Sequence, residues 1–111
     1  MPAVFMQVVT AIDGEDSAER LARSITGARL AASVQIVGPI KSFYWWKGEL
    51  VEAREWKLTM KTTSDRLSEL EAHIKENHSY ETPGIIATEI SWGSQEYLDW
   101  ITAETRTDAS S

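Results

Sequence analysis

The sequence predicts an α+β fold in which helices pack on one face of an antiparallel sheet. Strand-like and helix-like segments follow in the order strand, helix, strand, strand, helix, strand, with one more helix at the end. The two middle strands form one long hairpin from Ser33 to Thr63, because Gly48 supplies the positive φ of a tight turn. At 111 residues, the chain can bury the modest core of a single domain.

The first strand and the first helix are predicted from local composition. Val4–Thr10 is an almost uninterrupted apolar and β-branched run, which is typical of a central strand buried on both faces. Asp13 is the expected helix cap, and Glu15 and Asp16 place negative charge in the first turn. The first helix is expected to end at Gly27.

The predicted hairpin is longer than the domain that carries it. Its first arm begins near Ala32 and should bulge at Gly38-Pro39, because proline lacks the N–H of a continuous ladder. In the second arm, Trp56, Leu58 and Met60 alternate with polar residues. Each arm of roughly 14 residues spans on the order of 45 Å, whereas a compact chain of this length has a radius of gyration of about 13 Å. The hairpin therefore projects.

The projecting end carries the densest aromatic cluster of the chain, Phe43 to Trp46. Such a surface is neither stable nor soluble alone, so we expect another subunit to cover it. Stacking on nucleobases is the alternative, but the rings lack accompanying positive charge. Four charged residues in the second arm are expected to protect an open edge or to pair with a neighbour: Glu49, Glu52, Arg54 and Glu55.

The second half of the chain supplies the remaining elements. Thr63 or Ser64 is the expected cap of a second helix that ends near Asn77, with Leu67, Leu70 and Ile74 facing inward. A strand at 85–90 and a short helix capped by Ser94 follow; the tail from Thr105 is polar and expected to fray. Two crossovers through helices on one face give the ferredoxin-like, split βαβ architecture.

Composition limits the function classes. We expect one domain at residues 1–106 and a disordered polar tail at 107–111. No apolar run reaches 18 residues and Met1–Met6 lacks the pattern of a secretory signal, so we expect no membrane association and a cytoplasmic protein. Cysteine is absent, which excludes thiolate chemistry. A net charge of −6 without a basic cluster argues against nucleic acid as a partner.

The sequence contains none of the familiar catalytic or phosphate-binding motifs, so we predict no catalytic residue and no enzymatic activity. His73 is expected to be a solvated helix residue. His78 lies where the second helix ends, and two roles stay open for it. It can satisfy carbonyl groups at the helix C-terminus, or its neutral imidazole can bind a metal.

Several segments together resemble the CutA divalent-cation tolerance proteins. The resemblance runs from about Val4 to Arg106 and is carried by five segments: Leu30–Ile40, Tyr44–Leu50, Lys61–Thr63, His78–Pro83 and Tyr97–Ile101. It implies a ferredoxin-like subunit in a tight homotrimer, in which the hairpin strands complete sheets between subunits. The trimer interface is then expected to include the aromatic residues of the hairpin: Phe43, Tyr44, Trp45, Trp46 and Trp56.

The resemblance also implies a role in tolerance of divalent metals, with copper binding in some members. Copper-binding bacterial relatives have two cysteines, a His-His pair and a following proline where this chain has Val9, Ser33, Asn77-His78 and Ser79. A lone imidazole with oxygen ligands gives a weaker and less selective site than thiolates. The family's Glu after Thr-Pro is also replaced, by Gly84.

We therefore expect no required cofactor and at most weak binding of a divalent cation such as copper. His78 and Glu81 are the predicted ligands, completed by a neighbouring subunit. The expected function is that of a trimeric, non-enzymatic protein linked to divalent-cation tolerance. The alternatives are a trimeric small-ligand sensor and a partner-binding scaffold in which metal binding is incidental.

Overall fold

A computed structural model describes residues 4–106. The predicted order of elements is confirmed within this range. The elements are β1 (Phe5–Ile12), α1 (Glu15–Gly27), β2 (Ser33–Trp46), β3 (Glu49–Thr63), a 3₁₀ turn (Ser64–Arg66), α2 (Leu67–Asn77), β4 (Ile86–Glu89) and α3 (Gln95–Glu104). No helix in the described range is long and apolar enough to cross a membrane.

The four strands form one sheet in the order β2-β3-β1-β4, and every neighbouring pair is antiparallel. β1 lies inside the sheet, as predicted, but the expectation that both its faces are buried is wrong. Val8, Thr10 and Ile12 are buried, whereas the residues between them are only half-buried. Successive side chains of a strand point to opposite faces. The buried cluster formed with α1 and α2 therefore includes Val8 and Ile12 but not Val9 or Ala11.

The core forms between the sheet and the first two helices. Leu21 and Ile25 of α1 and Leu70 and Ile74 of α2 join a single buried cluster with residues of β1 and β3. Their spacing of three and four places these side chains on one face of each helix, as the sequence predicts. This packing positions the end of α2, from which the chain returns to the sheet.

Two predicted helix caps are wrong. Gly14, not Asp13, is the N-cap of α1, and it offers no side-chain hydrogen bond. The Asp13 carboxylate instead accepts a hydrogen bond from Ser79 at 2.8 Å. Neither Thr63 nor Ser64 caps α2, because a 3₁₀ turn intervenes. The third prediction is confirmed, since Ser94 Oγ accepts from the N–H of Tyr97.

The hairpin has the predicted turn and the predicted irregularity. Lys47 and Gly48 both have positive φ, at 49° and 82°, which is the pattern of a two-residue turn matched to strand twist. The ladder between β2 and β3 shifts register between Val37 and Ile40. The arms contain 14 and 15 residues, and the longest dimension of the molecule is 47 Å.

The polar C-terminal segment is ordered further than predicted. Thr105 is fully buried and its hydroxyl donates to the carbonyl of Ile101 at 2.8 Å, so the expectation of fraying from this residue is wrong. Arg106 donates to the Asp65 carboxylate at 2.9 Å and to the Thr63 hydroxyl at 2.8 Å. The Thr63 hydroxyl in turn donates to the Asp65 carboxylate. The hydrogen bonds from Arg106 and then from Thr63 lower the pKa of Asp65 to about 2. The predicted tail at 107–111 lies outside the described residues.

Candidate functional site

The loop at residues 78–85, here called the post-α2 loop, is tied to the sheet by His78. His78 Nε2 lies 2.7 Å from the carbonyl oxygen of Ala11, and Nδ1 accepts from the N–H of Tyr80 at 3.0 Å. A carbonyl only accepts and an amide N–H only donates, so the ring is neutral with its proton on Nε2. His78 therefore satisfies a carbonyl of β1, not the carbonyls at the C-terminus of α2 that the sequence suggests. The metal-binding role stays a prediction.

Tyr80 extends this chain of hydrogen bonds to a buried carboxylate. Its hydroxyl donates to Glu55 Oε2 at 2.6 Å, and its ring lies 4.9 Å from that of His78. Burial, and then the hydrogen bond to Glu55, raise the pKa of Tyr80 well above its usual range. Tyr80 therefore remains a donor at physiological pH. Glu55 is only 7% exposed, so it is not the edge-protecting surface charge that its position in the sequence predicts.

Beside Tyr80 and Glu55 lies a cavity of about 630 Å³ between the distal hairpin, β1, β4 and the post-α2 loop. Tyr44, Trp45 and Trp46 supply one wall, and Ile86 lies on the β4 side. Glu55 and Tyr80 also line it. A mainly apolar concave surface of this size with a few polar groups is typical of small-molecule sites.

Glu81, the other predicted metal ligand, also lines the cavity and forms an ion pair with Lys47 of the hairpin turn at 3.4 Å. Both side chains are largely exposed, so the pair contributes little stability. Across residues 4–106, no three His, Asp or Glu side chains converge as a metal site. His78 and Glu81 therefore do not form a complete site within one protomer.

The predicted interface residues have different surroundings. Phe43 and Trp45 are 62% and 72% exposed, Trp46 is also exposed and Tyr44 is half-buried. Trp56 differs, because it packs against the core of its own protomer. The exposed aromatic surface is thus the distal end of β2.

His73 is not solvated as predicted. Its Nε2 lies 2.5 Å from Ser24 Oγ, which links α2 to α1 in a part-buried contact. The sequence also missed the pairing of Glu55 with Tyr80, because 25 residues separate them. The available signal was the side-chain alternation of β3, which places Glu55 on the face of the sheet opposite Leu58 and Met60.

A family model described as "CutA1 divalent ion tolerance protein" matches residues 6–104. The chain belongs to the CutA1 family. Among curated CutA1 relatives, it is 44% identical over 86 residues to a divalent-cation tolerance protein CutA of Archaeoglobus fulgidus, covering 78% of this chain and 83% of that one. It is 39% identical over 98 residues to the Thermus thermophilus protein of the same name, covering 88% and 95%.

Solved CutA1 structures share the fold. The crystal structure of CutA1 from Oryza sativa superposes with a TM-score of 0.90 at 37% identity, covering 95% of this chain and 96% of that one. This chain spans 59% of the curated rice relative, "Protein CutA 1, chloroplastic", to which it is 39% identical over 106 residues. The α+β fold with an antiparallel sheet is therefore that of the CutA1 proteins.

Proposed function

We propose that this chain forms a non-enzymatic homotrimer that takes part in tolerance of divalent cations. Membership in the CutA1 family supports the role in tolerance. One observation carries the proposed assembly: the distal end of the hairpin presents aromatic side chains to solvent in the isolated protomer. The ferredoxin-like assignment is part of the same proposal and is supported by the strand order.

The edges of the sheet support the assembly further. Within residues 4–106, β2 and β4 are the edge strands of the sheet, and each has a row of backbone groups that face no neighbouring strand there. All four residues of β4 are exposed, with Ile86 at 66%. Two different open edges on one protomer allow head-to-tail pairing, which closes into a ring when the rotation permits. Three copies are the number that the resemblance to CutA proteins implies.

Light scattering tests the assembly. We expect a mass of about three times 12.5 kDa at micromolar concentration, and a lower mass for Trp45→Ala if the ring anchors the interface. Arg23→Ala on α1, whose side chain is 83% exposed, is the control and should leave the mass unchanged. A wild-type protein that is monomeric at micromolar concentration would eliminate the proposed interface.

Direct metal binding through His78 and Glu81 is the weaker part of the proposal. Both ring nitrogens of His78 are already hydrogen-bonded, so a cation must displace the Tyr80 N–H to reach Nδ1. We therefore expect low affinity. Calorimetric titration of Cu(II) and Zn(II) into the wild type, His78→Ala and Glu81→Gln measures it. Equal heats in all three would show that neither residue is a ligand.

The cellular compartment of this protein stays a prediction. Names of relatives include chloroplastic forms in plants and one structure described as periplasmic. We expect this chain in the cytoplasm, and cell fractionation checks it.

The cavity beside Glu55 favours a second candidate function, that of a trimeric small-ligand sensor. Its volume of about 630 Å³ and its aromatic wall suit a small organic molecule. A ligand that binds there should raise the melting temperature, and the shift should grow with the logarithm of the ligand concentration above its Kd. A thermal-shift screen of small metabolites tests this role.

A further inference from the structure

We propose that the cavity binds a small organic cation, with an ammonium or guanidinium group against Glu55 and an apolar body against the aromatic wall. The inference deepens the small-ligand role proposed above and rests on it. It does not depend on metal binding. Trp45 and Trp46 line the cavity and also belong to the proposed interface, so in the trimer the cavity lies beside the neighbouring subunit. Three features support the inference: the burial of Glu55 without a cationic partner, the positions of the surrounding charges and the aromatic wall.

Glu55 is a buried carboxylate without a cationic partner. It is 7% exposed, and none of its oxygens lies within 4.0 Å of a Lys, Arg or His nitrogen in residues 4–106. Oε2 accepts from Tyr80, whereas Oε1 has no protein donor in that range and is not fully shielded from solvent, so a ligand in the cavity can reach it. Burying a carboxylate is costly unless it is paired and fully hydrogen-bonded. A cationic donor bound in the cavity supplies both the charge and the hydrogen bond.

The cationic side chains nearest to Glu55 in the sequence and in the hairpin do not pair with it. Arg54 lies over the Trp56 ring, 6.0 Å from its centroid, and Lys47 pairs with Glu81. Lys57 lies on the same face of β3 as Glu55, two residues along the strand, but within residues 4–106 its ammonium is not within 4.0 Å of any carboxylate oxygen. The cavity therefore carries the negative charge of Glu55 next to its apolar wall, and this combination favours a ligand with a positive group.

The aromatic wall suits the same ligand. Tyr44, Trp45 and Trp46 line the cavity, and indole faces attract cations within about 6 Å of the ring centroid. Lys47 already places its ammonium 5.5 Å from the Trp46 centroid, so this ring accepts a cation in the folded protein. The remaining ring surface can cover an alkyl or aryl group.

A divalent metal ion fits this cavity less well. Calcium and magnesium bind through six or more oxygen ligands, several of them protein carboxylates or waters. Glu55 is the buried carboxylate of the cavity, and residues 4–106 contain no group of three His, Asp or Glu around a common point. Glu81 also lines the cavity but is paired with Lys47, so Glu55 is the carboxylate left for a ligand. One such carboxylate beside indole rings is better matched to an ammonium or guanidinium group, which needs one or two acceptors.

The experiment is a calorimetric titration with two probes of equal shape, 2-phenylethylammonium and neutral 2-phenylethanol. We expect saturable binding of the ammonium, and affinity at least about tenfold weaker for the alcohol, because hydrogen bonds to charged groups contribute more than neutral ones. Glu55→Gln should weaken ammonium binding by a similar factor. Glu52→Gln, the same change on an exposed position of the same strand, should alter it by less than about twofold.

Several outcomes would overturn the inference. They are no saturable ammonium binding, equal affinity for the two probes, unchanged affinity in Glu55→Gln, or displacement of the ammonium by stoichiometric Zn(II). The comparison of probes uses the wild type and stays decisive if Glu55→Gln does not fold. Light scattering on the same samples separates the two proposals. A trimer that does not bind the ammonium would refute the proposed ligand, and a monomer that binds it would refute the proposed assembly.

Discussion

Replacing Gly38 by alanine should destabilise the protein, because the bulge in β2 brings the backbone against the ring of Trp56. A Cβ built on Gly38 would lie 2.6 Å from Trp56 Cγ. Carbon atoms in contact are ordinarily about 3.5 to 4.0 Å apart, so the ring or the strand must move by about 1 Å. Trp56 packs against the core and has little room to move.

The expected cost follows from this overlap. Overpacking by one carbon typically costs about 1 to 3 kcal/mol. For a domain of roughly 100 residues, 1 kcal/mol lowers the melting temperature by about 4 °C, so Gly38→Ala should melt about 4 to 12 °C lower. The assay is thermal unfolding followed by circular dichroism at one fixed protein concentration, because assembly makes the midpoint depend on concentration.

Two further variants test the cause. Gly84→Ala is the matched control, since no atom lies within 4 Å of its added Cβ, and its melting temperature should stay close to that of the wild type. In a Trp56→Leu background, Gly38→Ala should cost clearly less than in the wild type, because the clashing ring is gone. An unchanged midpoint for Gly38→Ala, or an equal cost in both backgrounds, would refute the reasoning.

Three other substitutions have defined expectations. Gly48→Val should cost about 1 to 3 kcal/mol in chemical denaturation, because φ is 82° there and a β-branched residue is strained; an unchanged midpoint would contradict this. Asp65→Asn should lower stability at pH 7 by less than about 1 kcal/mol, since the side chain is 59% exposed. Its folded pKa is lowered to about 2, so this difference should persist above about pH 4, shrink between about pH 4 and pH 2, and vanish below about pH 2. A difference that grows as the pH falls would contradict this. His78→Ala should cost about 1 to 3 kcal/mol, because the Ala11 carbonyl loses its partner, and increased proteolysis at residues 79–84 should accompany it.

Local backbone chemistry made the hairpin predictable. Gly48 permits a positive φ and Pro39 cannot donate to a ladder, and both effects act within a few residues of their cause. The cap of α1 was mispredicted for the opposite reason. Asp13 has the right chemistry for an N-cap, but its carboxylate accepts from Ser79, 66 residues away. A local sequence pattern cannot reveal such competition from a residue that is distant in the chain.

The candidate site was predicted only in part. The sequence singled out His78 and the aromatic end of the hairpin, and both contribute to the region around the cavity. It did not reveal that the backbone N–H of Tyr80 donates a hydrogen bond to His78, or that the Tyr80 hydroxyl donates one to Glu55. That chain of contacts depends on the return of the post-α2 loop to the sheet and on the register of β3, and neither follows from residue spacing.

Amide hydrogen exchange resolved by residue tests most directly whether further copies of the chain cover the hairpin and the edges of the sheet. In an isolated protomer, every second N–H of β2 at residues 40–46, and of β4 at Ile86–Glu89, faces away from its only neighbouring strand. The proposed assembly predicts slow exchange at these outward amides, comparable to that of β1 inside the sheet. Outward amides that exchange as fast as those of an exposed loop would contradict it.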